Sequence, residues 1–215
     1  MNYLNEVEQK IAESLLQIKA IKLQPKSPFI WASGWKSPIY CDNRVALSYP
    51  SIRTYIRQNL SQLIQEEFGS VDMISGVATA GIPQGVLVAQ DLGLPFSYVR
   101  SSAKDHGRQN LIEGEVSSGQ RVVVIEDLVS TGKSSLQAVA ALRQAGCNVV
   151  GLISIFTYGL EVARKNFEEA KCTHFSLCNY DALIRVAASN SYILDSDISI
   201  LEKWKKDPST WSPEV

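Results

Sequence analysis

Apolar residues recur at helical spacing from the start of the chain: Leu4, Val7, Ile11, Leu15 and Ile18 share one face and predict an amphipathic helix. Residues 23–44, "LQPKSPFIWASGWKSPIYCDNR", break that rhythm with Pro, Gly, Ser and aromatics, which predicts turns and short strands in a small irregular subdomain. A second helix is predicted over about 50–67. From there the pattern becomes regular. Apolar runs at 71–77, 95–99, 121–126 and 149–156 alternate with helical stretches at about 82–92, 133–145 and 160–171. Strands apolar on both faces and separated by helices predict an α/β fold: a parallel sheet with helices on both faces. Gly93 and Gly146 stand just past two of those helices, where C-terminal caps belong. Ligands of such sheets bind beyond the carboxyl ends of the strands, so the chemistry is expected in the loops opening near residues 78, 100, 127 and 157.

A length of 215 residues suits one domain over 1–215. It divides into the N-terminal helix and small subdomain (about 1–50), the α/β core (about 68–190) and a C-terminal helix and tail. The net charge of −1 argues against a nucleic-acid surface spread over the whole protein. No apolar run approaches the roughly 20 residues of a membrane span, and "MNYLNEVEQK" lacks the pattern of a secretory signal. Cys41, Cys147, Cys172 and Cys178 form no C-x-x-C pair and no zinc-finger spacing, so they read as reduced thiols. The expectation is a cytoplasmic protein that binds neither nucleic acid nor membrane.

The richest stretch is "VVVIEDLVSTGKSS", residues 122–135. Its end resembles the loop that holds nucleoside triphosphates, but the first glycine of that motif falls on Asp127. What remains is a buried strand, Glu126 and Asp127 at its carboxyl end, and a turn into a helix. Ser130, Thr131, Ser134 and the amides around Gly132 can converge on one anion at that helix start, where the dipole favours negative charge. Two acids beside an anion cradle repel the anion unless they face donors, and vicinal sugar hydroxyls are such donors. A ribose 5-phosphate satisfies both halves. The bland alternative, a strand followed by a capped helix, leaves two buried acids without partners, which is costly.

With those residues in view, the stretch resembles the phosphoribosyl-diphosphate signature of type I phosphoribosyltransferases. Residues 98–116, "YVRSSAKDHGRQNLIEGEV", crowd Arg100, Lys104, His106 and Arg108 together as a solvated linker or an anion lid. They are similar to the catalytic loop of orotate phosphoribosyltransferases, with its R-x-x-x-K-x-H-G core. "FIWASGWKSPIYCDNR" resembles the orotate-side hood of that family, "GVATAGIPQG" (76–85) its diphosphate-side loop, and "IFTYG" (155–159) its fifth strand end. The likeness runs from about residue 7 to about 190.

The resemblance implies transfer of ribose 5-phosphate from 5-phospho-α-D-ribose 1-diphosphate to orotate, giving orotidine 5′-monophosphate and diphosphate on the way to UMP. It implies Mg²⁺ held through diphosphate and ribose hydroxyls, with no metal ligands of the protein's own. It also implies a homodimer whose lid is shared across subunits. Lys104, His106 and Asp127 are the expected catalytic residues. Arg100, Lys104, His106, Glu126, Asp127, Leu128, Val129, Ser130, Thr131, Gly132, Lys133 and Ser134 are expected to bind the donor, and Ser130 and Lys36 orotate. Ala32, Ala80, Ser101 and Thr157 depart from the basic residues of some members, which leaves Lys36 as the nearest hood cation for the orotate carboxylate. His174 has no partner at motif spacing and reads as structural or exposed, while Trp31 and Trp35 read as hood core. Rival readings are a phosphoribosyltransferase for another base and a non-catalytic sensor of the same donor. The lid core and hood speak against the first, and the intact lid cations and absence of a spare domain against the second.

Overall fold

The computed structural model of the chain describes residues 3–31, 34–102 and 111–213. Helix α1 (Tyr3–Gln17) is the amphipathic opening element, with Val7, Ile11 and Leu15 buried. The irregular segment folds into short antiparallel pairs. Strand β1 (Ile21–Leu23) pairs with β4 (Ile39–Cys41), and β2 (Phe29–Ile30) pairs with β3 (Lys36–Ser37). A 3₁₀ turn, Asn43–Ser48, leads to α2 (Pro50–Phe68), whose proline sits in the first turn where its missing N–H costs nothing.

The core follows: β5 (Met73–Val77), α3 (Gly81–Leu92), β6 (Phe96–Val99), β7 (Ile112–Glu113), β8 (Arg121–Val129), α4 (Lys133–Gln144), β9 (Asn148–Thr157), α5 (Glu161–Glu169) and β10 (His174–Asn179). Helices α6 (Tyr180–Ser189) and α7 (Asp195–Lys206) complete the described chain. The sheet order is β10-β9-β8-β5-β6-β7, parallel except for β7. Alternation along β8 divides the core. Val123 and Ile125 join the cluster under α1, α2, α3, α6 and α7, whereas Val122 and Val124 join the one under α4 and α5. Helices thus cover both faces, as the two-sided apolar runs predicted. Among the described residues no helix is long and apolar enough to cross a membrane.

Three details differ from the sequence expectation. The edge strand β10, "HFSLCN", was not foreseen, because four of its six side chains are only partly buried and its apolar run is short. The chain after residue 111 adds β7 antiparallel to β6, which makes the sheet mixed at that edge. Finally, β8 does not stop at Glu126: it continues to Val129, paired with β9 as far as Thr157. The acid pair therefore lies inside a strand that has already run past β5, whose last pair with β8 is Gly76 with Ile125.

Candidate functional site

Past the end of β5, α3 starts directly against β8. A Cβ on Gly81 would stand 2.4 Å from the Ile125 carbonyl oxygen, so only glycine admits this approach. The turn before it carries a cis peptide bond between Ala78 and Thr79. Beside this junction Glu126 is only 5% exposed. Both of its carboxylate oxygens are taken by the protein: Oε1 accepts from the Asp127 N–H at 3.0 Å and Oε2 from Ser135 Oγ at 3.0 Å. Asp127 is half-buried, and its backbone carbonyl accepts from Asn43 Nδ2 at 2.7 Å.

Burial pushes the carboxyls of both acids up, Glu126 well up because the Asp127 charge adds to the effect. Hydrogen bonds from Glu126 and from the Leu128 N–H partly offset the rise at Asp127. With both Glu126 oxygens engaged by the protein, Asp127 is left as the acid that faces a ligand. The two acids expected to act alike are thus given different places: Glu126 is anchored inward and Asp127 is the one open to contact.

The turn that follows is Ser130–Thr131–Gly132, with Leu128 and Val129 still in the strand. Gly132 takes the left-handed conformation at φ 77°, and a Cβ there would stand 2.7 Å from the Phe167 ring. The Thr131 carbonyl is held by Asn166 Nδ2 at 2.9 Å. No side chain caps α4, so the N–H groups of its first turn remain available to an anion. Lys133 and Ser134 are exposed on that turn.

A cleft of about 330 Å³ opens at this edge, with Ala78, Arg100, Leu111 and Ser134 among its walls. Arg100 and Ser134, 34 positions apart by their numbering, are thereby brought together. The Arg100 Nη1 approaches the Glu113 carboxylate to 3.6 Å, and among the described residues this buried atom makes no hydrogen bond, an unusual position for a charged donor. Lys104, His106 and Arg108 lie outside the described residues. The chain enters and leaves that segment at Ser102 and Leu111, beside the cleft.

Lys36 lies on the hood strand β3, exposed, and its ammonium donates to Ser212 Oγ at 3.1 Å in the C-terminal tail. Among the described residues it makes no contact with the acid pair. Trp31 belongs to an aromatic cluster with Tyr158 and Trp204, at centroid distances of 5.2 and 5.6 Å, so the hood-core reading holds for that residue. His174 does have a hydroxyl partner, Ser154 Oγ at 2.9 Å from Nε2, reached across the β9–β10 pairing rather than along the sequence. Its ring stacks on Phe167, and burial pulls its pKa down to about 4, a structural histidine. Sequence reasoning passed over Asn43, Ser135 and Asn166. Only Ser135 carried a signal, as the second serine of "TGKSS".

Among the described residues no three His, Cys, Asp or Glu side chains gather as a metal site. Asp127 is nonetheless a hard oxygen donor at the open edge. Magnesium is commonly held by one or two carboxylates plus substrate oxygens, which such a residue fits.

Residues 47–181 match the family described as phosphoribosyl transferase domain. The orotate phosphoribosyltransferase of Phocaeicola vulgatus is 56% identical over 208 residues, 97% of this chain and 98% of that protein. The enzyme of the same name from Listeria innocua is 52% identical over 95% of this chain and 98% of its own. Among solved structures, orotate phosphoribosyltransferase from Aeropyrum pernix superposes with a TM-score of 0.74 at 26% identity, covering 86% of this chain and 99% of that one. With its sheet order, acid-bearing strand and uncapped helix start on the page, the chain belongs to the orotate phosphoribosyltransferases of the phosphoribosyl transferase domain family.

Proposed function

We propose that this chain transfers ribose 5-phosphate from 5-phospho-α-D-ribose 1-diphosphate to N1 of orotate, giving orotidine 5′-monophosphate and diphosphate in pyrimidine biosynthesis. The observation that carries the reading is the buried Arg100 Nη1, near Glu113 but without a hydrogen bond among the described residues, on the same cleft as Ser134 at the start of α4. Two anion-seeking groups beside one half-buried carboxylate suit a sugar with phosphate at one end and diphosphate at the other.

In the reaction the bond from C1 to diphosphate breaks, its electron pair leaving with diphosphate. Orotate N1 bonds to C1, and its proton passes to the departing diphosphate. Positive character on the ring and negative charge on the leaving group both need stabilisation. Asp127 accepts from the ribose hydroxyls, while Glu126 steadies it from beneath. Leu128, Val129, Ser130, Thr131, Gly132, Lys133 and Ser134 take the 5-phosphate, chiefly through backbone N–H groups, with Ser130 shared with orotate. Arg100, Lys104 and His106 meet the diphosphate. Lys36 reaches the orotate carboxylate once its contact with Ser212 gives way. Magnesium would sit on diphosphate and ribose oxygens beside Asp127 and neutralise charge on the leaving group. Closure of the lid excludes water as a competing nucleophile. The whole chain acts as one catalytic domain in the cytoplasm, as a homodimer in which each lid covers the neighbour's site.

Loss of orotate absorbance, followed with and without the diphosphate donor and with and without magnesium, tests the reading. Consumption that requires both is expected. Diphosphate release with another base and none with orotate would overturn it. Lys104→Ala should lower kcat by on the order of 10²–10³, the effect of a lost charge-stabilising donor. Mixing Lys104→Ala with Asp127→Asn dimers should recover partial activity; none after proven subunit exchange would place the lid over its own chain's site.

A further inference from the structure

The acid strand is held from the hood by a residue that the reaction scheme above does not use. Asn43 opens the 3₁₀ turn and is only 1% exposed. Its Nδ2 donates to the Asp127 carbonyl at 2.7 Å, across 84 positions of sequence. Its Oδ1 accepts from the Cys41 thiol at 3.4 Å. Both ends of the amide are therefore committed, and its orientation follows, since only the NH₂ end can donate to a carbonyl.

The bond stands where the sheet stops helping. β5 last pairs with β8 at Ile125, so from Glu126 onward β8 lacks a strand on that side. A buried carbonyl without a donor is costly, and a slack peptide after Asp127 would let its side chain swing. Asn43 supplies that donor, and it comes from the hood. We propose that Asn43 is a positioning residue for the transfer reaction, fixing the peptide after Asp127 so that the carboxylate is aimed at the sugar, and coupling that aim to the seating of the hood. The proposal rests on the reading of Asp127 as the sugar-facing acid.

Two variants separate positioning from packing. Asn43→Asp keeps shape and, when ionised, sets a carboxylate against the Asp127 carbonyl; when protonated it restores an O–H donor. Asn43→Leu removes the donor at every pH.

Single-turnover orotate consumption by the whole protein with magnesium and the diphosphate donor is the readout, at pH 8. Asn43→Asp should be roughly tenfold slower than the parent, the effect of one lost hydrogen bond to a buried group. Asn43→Leu should be as slow, with the KM for the donor within about twofold of the parent in both variants, since this bond is not a binding contact. Asn43→Asp is nearly isosteric with the amide, so this variant stays informative if Asn43→Leu does not fold. Asn43 variants that turn over as fast as the parent overturn the proposal. Asp127→Asn is measured alongside. If it is impaired while both Asn43 variants match the parent, the positioning role alone fails; if it is fully active, the sugar-facing role of Asp127 fails and this inference with it.

Discussion

The acid-bearing turn and the hood face one another over the same sheet edge, yet they are held by different means. The turn hangs on main chain: β8 is paired with β9 up to its last residue, and Gly81 and Gly132 bring neighbouring elements to contact distances that forbid a side chain. The hood has strands of two and three residues and is tied to α7 by side chains. Trp31 Nε1 donates to the Ile39 carbonyl at 3.2 Å, Trp204 Nε1 to the Lys36 carbonyl at 3.2 Å, and the rings of Trp31, Tyr158 and Trp204 lie 5.2–5.6 Å apart. Backbone ladders are set by local sequence and resist small changes. A roof of single hydrogen bonds and ring edges depends on partners far along the chain. The acid-bearing turn is thus fixed by main chain, whereas the hood owes its seat to α7.

Three substitutions probe that contrast, beginning with the largest effect. Gly81→Ala drives a Cβ into the Ile125 carbonyl, a backbone group that cannot swing aside, so it should cost about 1–3 kcal/mol. A thermal melt should drop by roughly 5 °C or more, at the few degrees per kcal/mol expected for a chain of this size. An unchanged Tm would show the α3–β8 junction to be as pliable as the hood.

Glu126→Gln should act in the other direction. Because the fold raises this carboxyl, the native state keeps its proton at pH values where the unfolded chain, titrating near 4.5, has already released it. Stability from this group is fully present below that range and is lost as pH rises through the higher folded value. The parent Tm should therefore sag between the ordinary carboxylate range and neutrality, and the amide should flatten that slope while lowering activity. Equal slopes in the two proteins would refute the inward, proton-holding role.

Trp204→Phe has the smallest effect. It keeps a ring in the cluster but removes the donor to Lys36, a net loss of about 1 kcal/mol. The KM for orotate should rise several-fold while the KM for the diphosphate donor stays put. Equal changes in both constants would erase the distinction between the two halves.

The same division governs what could be read beforehand. β5, β6, β8 and β9 announced themselves as apolar runs, and the acid pair with its turn had a physical meaning before any fold was known. Contacts that carry the hood did not, because Trp204 and Lys36 lie 168 positions apart and no spacing rule connects them. Lys36 illustrates the limit: a cation in the right segment was legible, its engagement with Ser212 was not. Asn43 carried no signal, since an amide that bonds a distant carbonyl looks no different in sequence from one that bonds its own turn. The inward and outward roles of Glu126 and Asp127 were hidden for a related reason: alternation along a strand assigns faces, but Ser135 decides which acid is tied down.

The pin between Trp204 and Lys36 also orders events in time. Residues 195–206 emerge from the ribosome after every strand of the central sheet. A nascent chain can therefore complete the sheet and its acid-bearing turn while the hood still lacks its anchor, so the seating of the hood comes last.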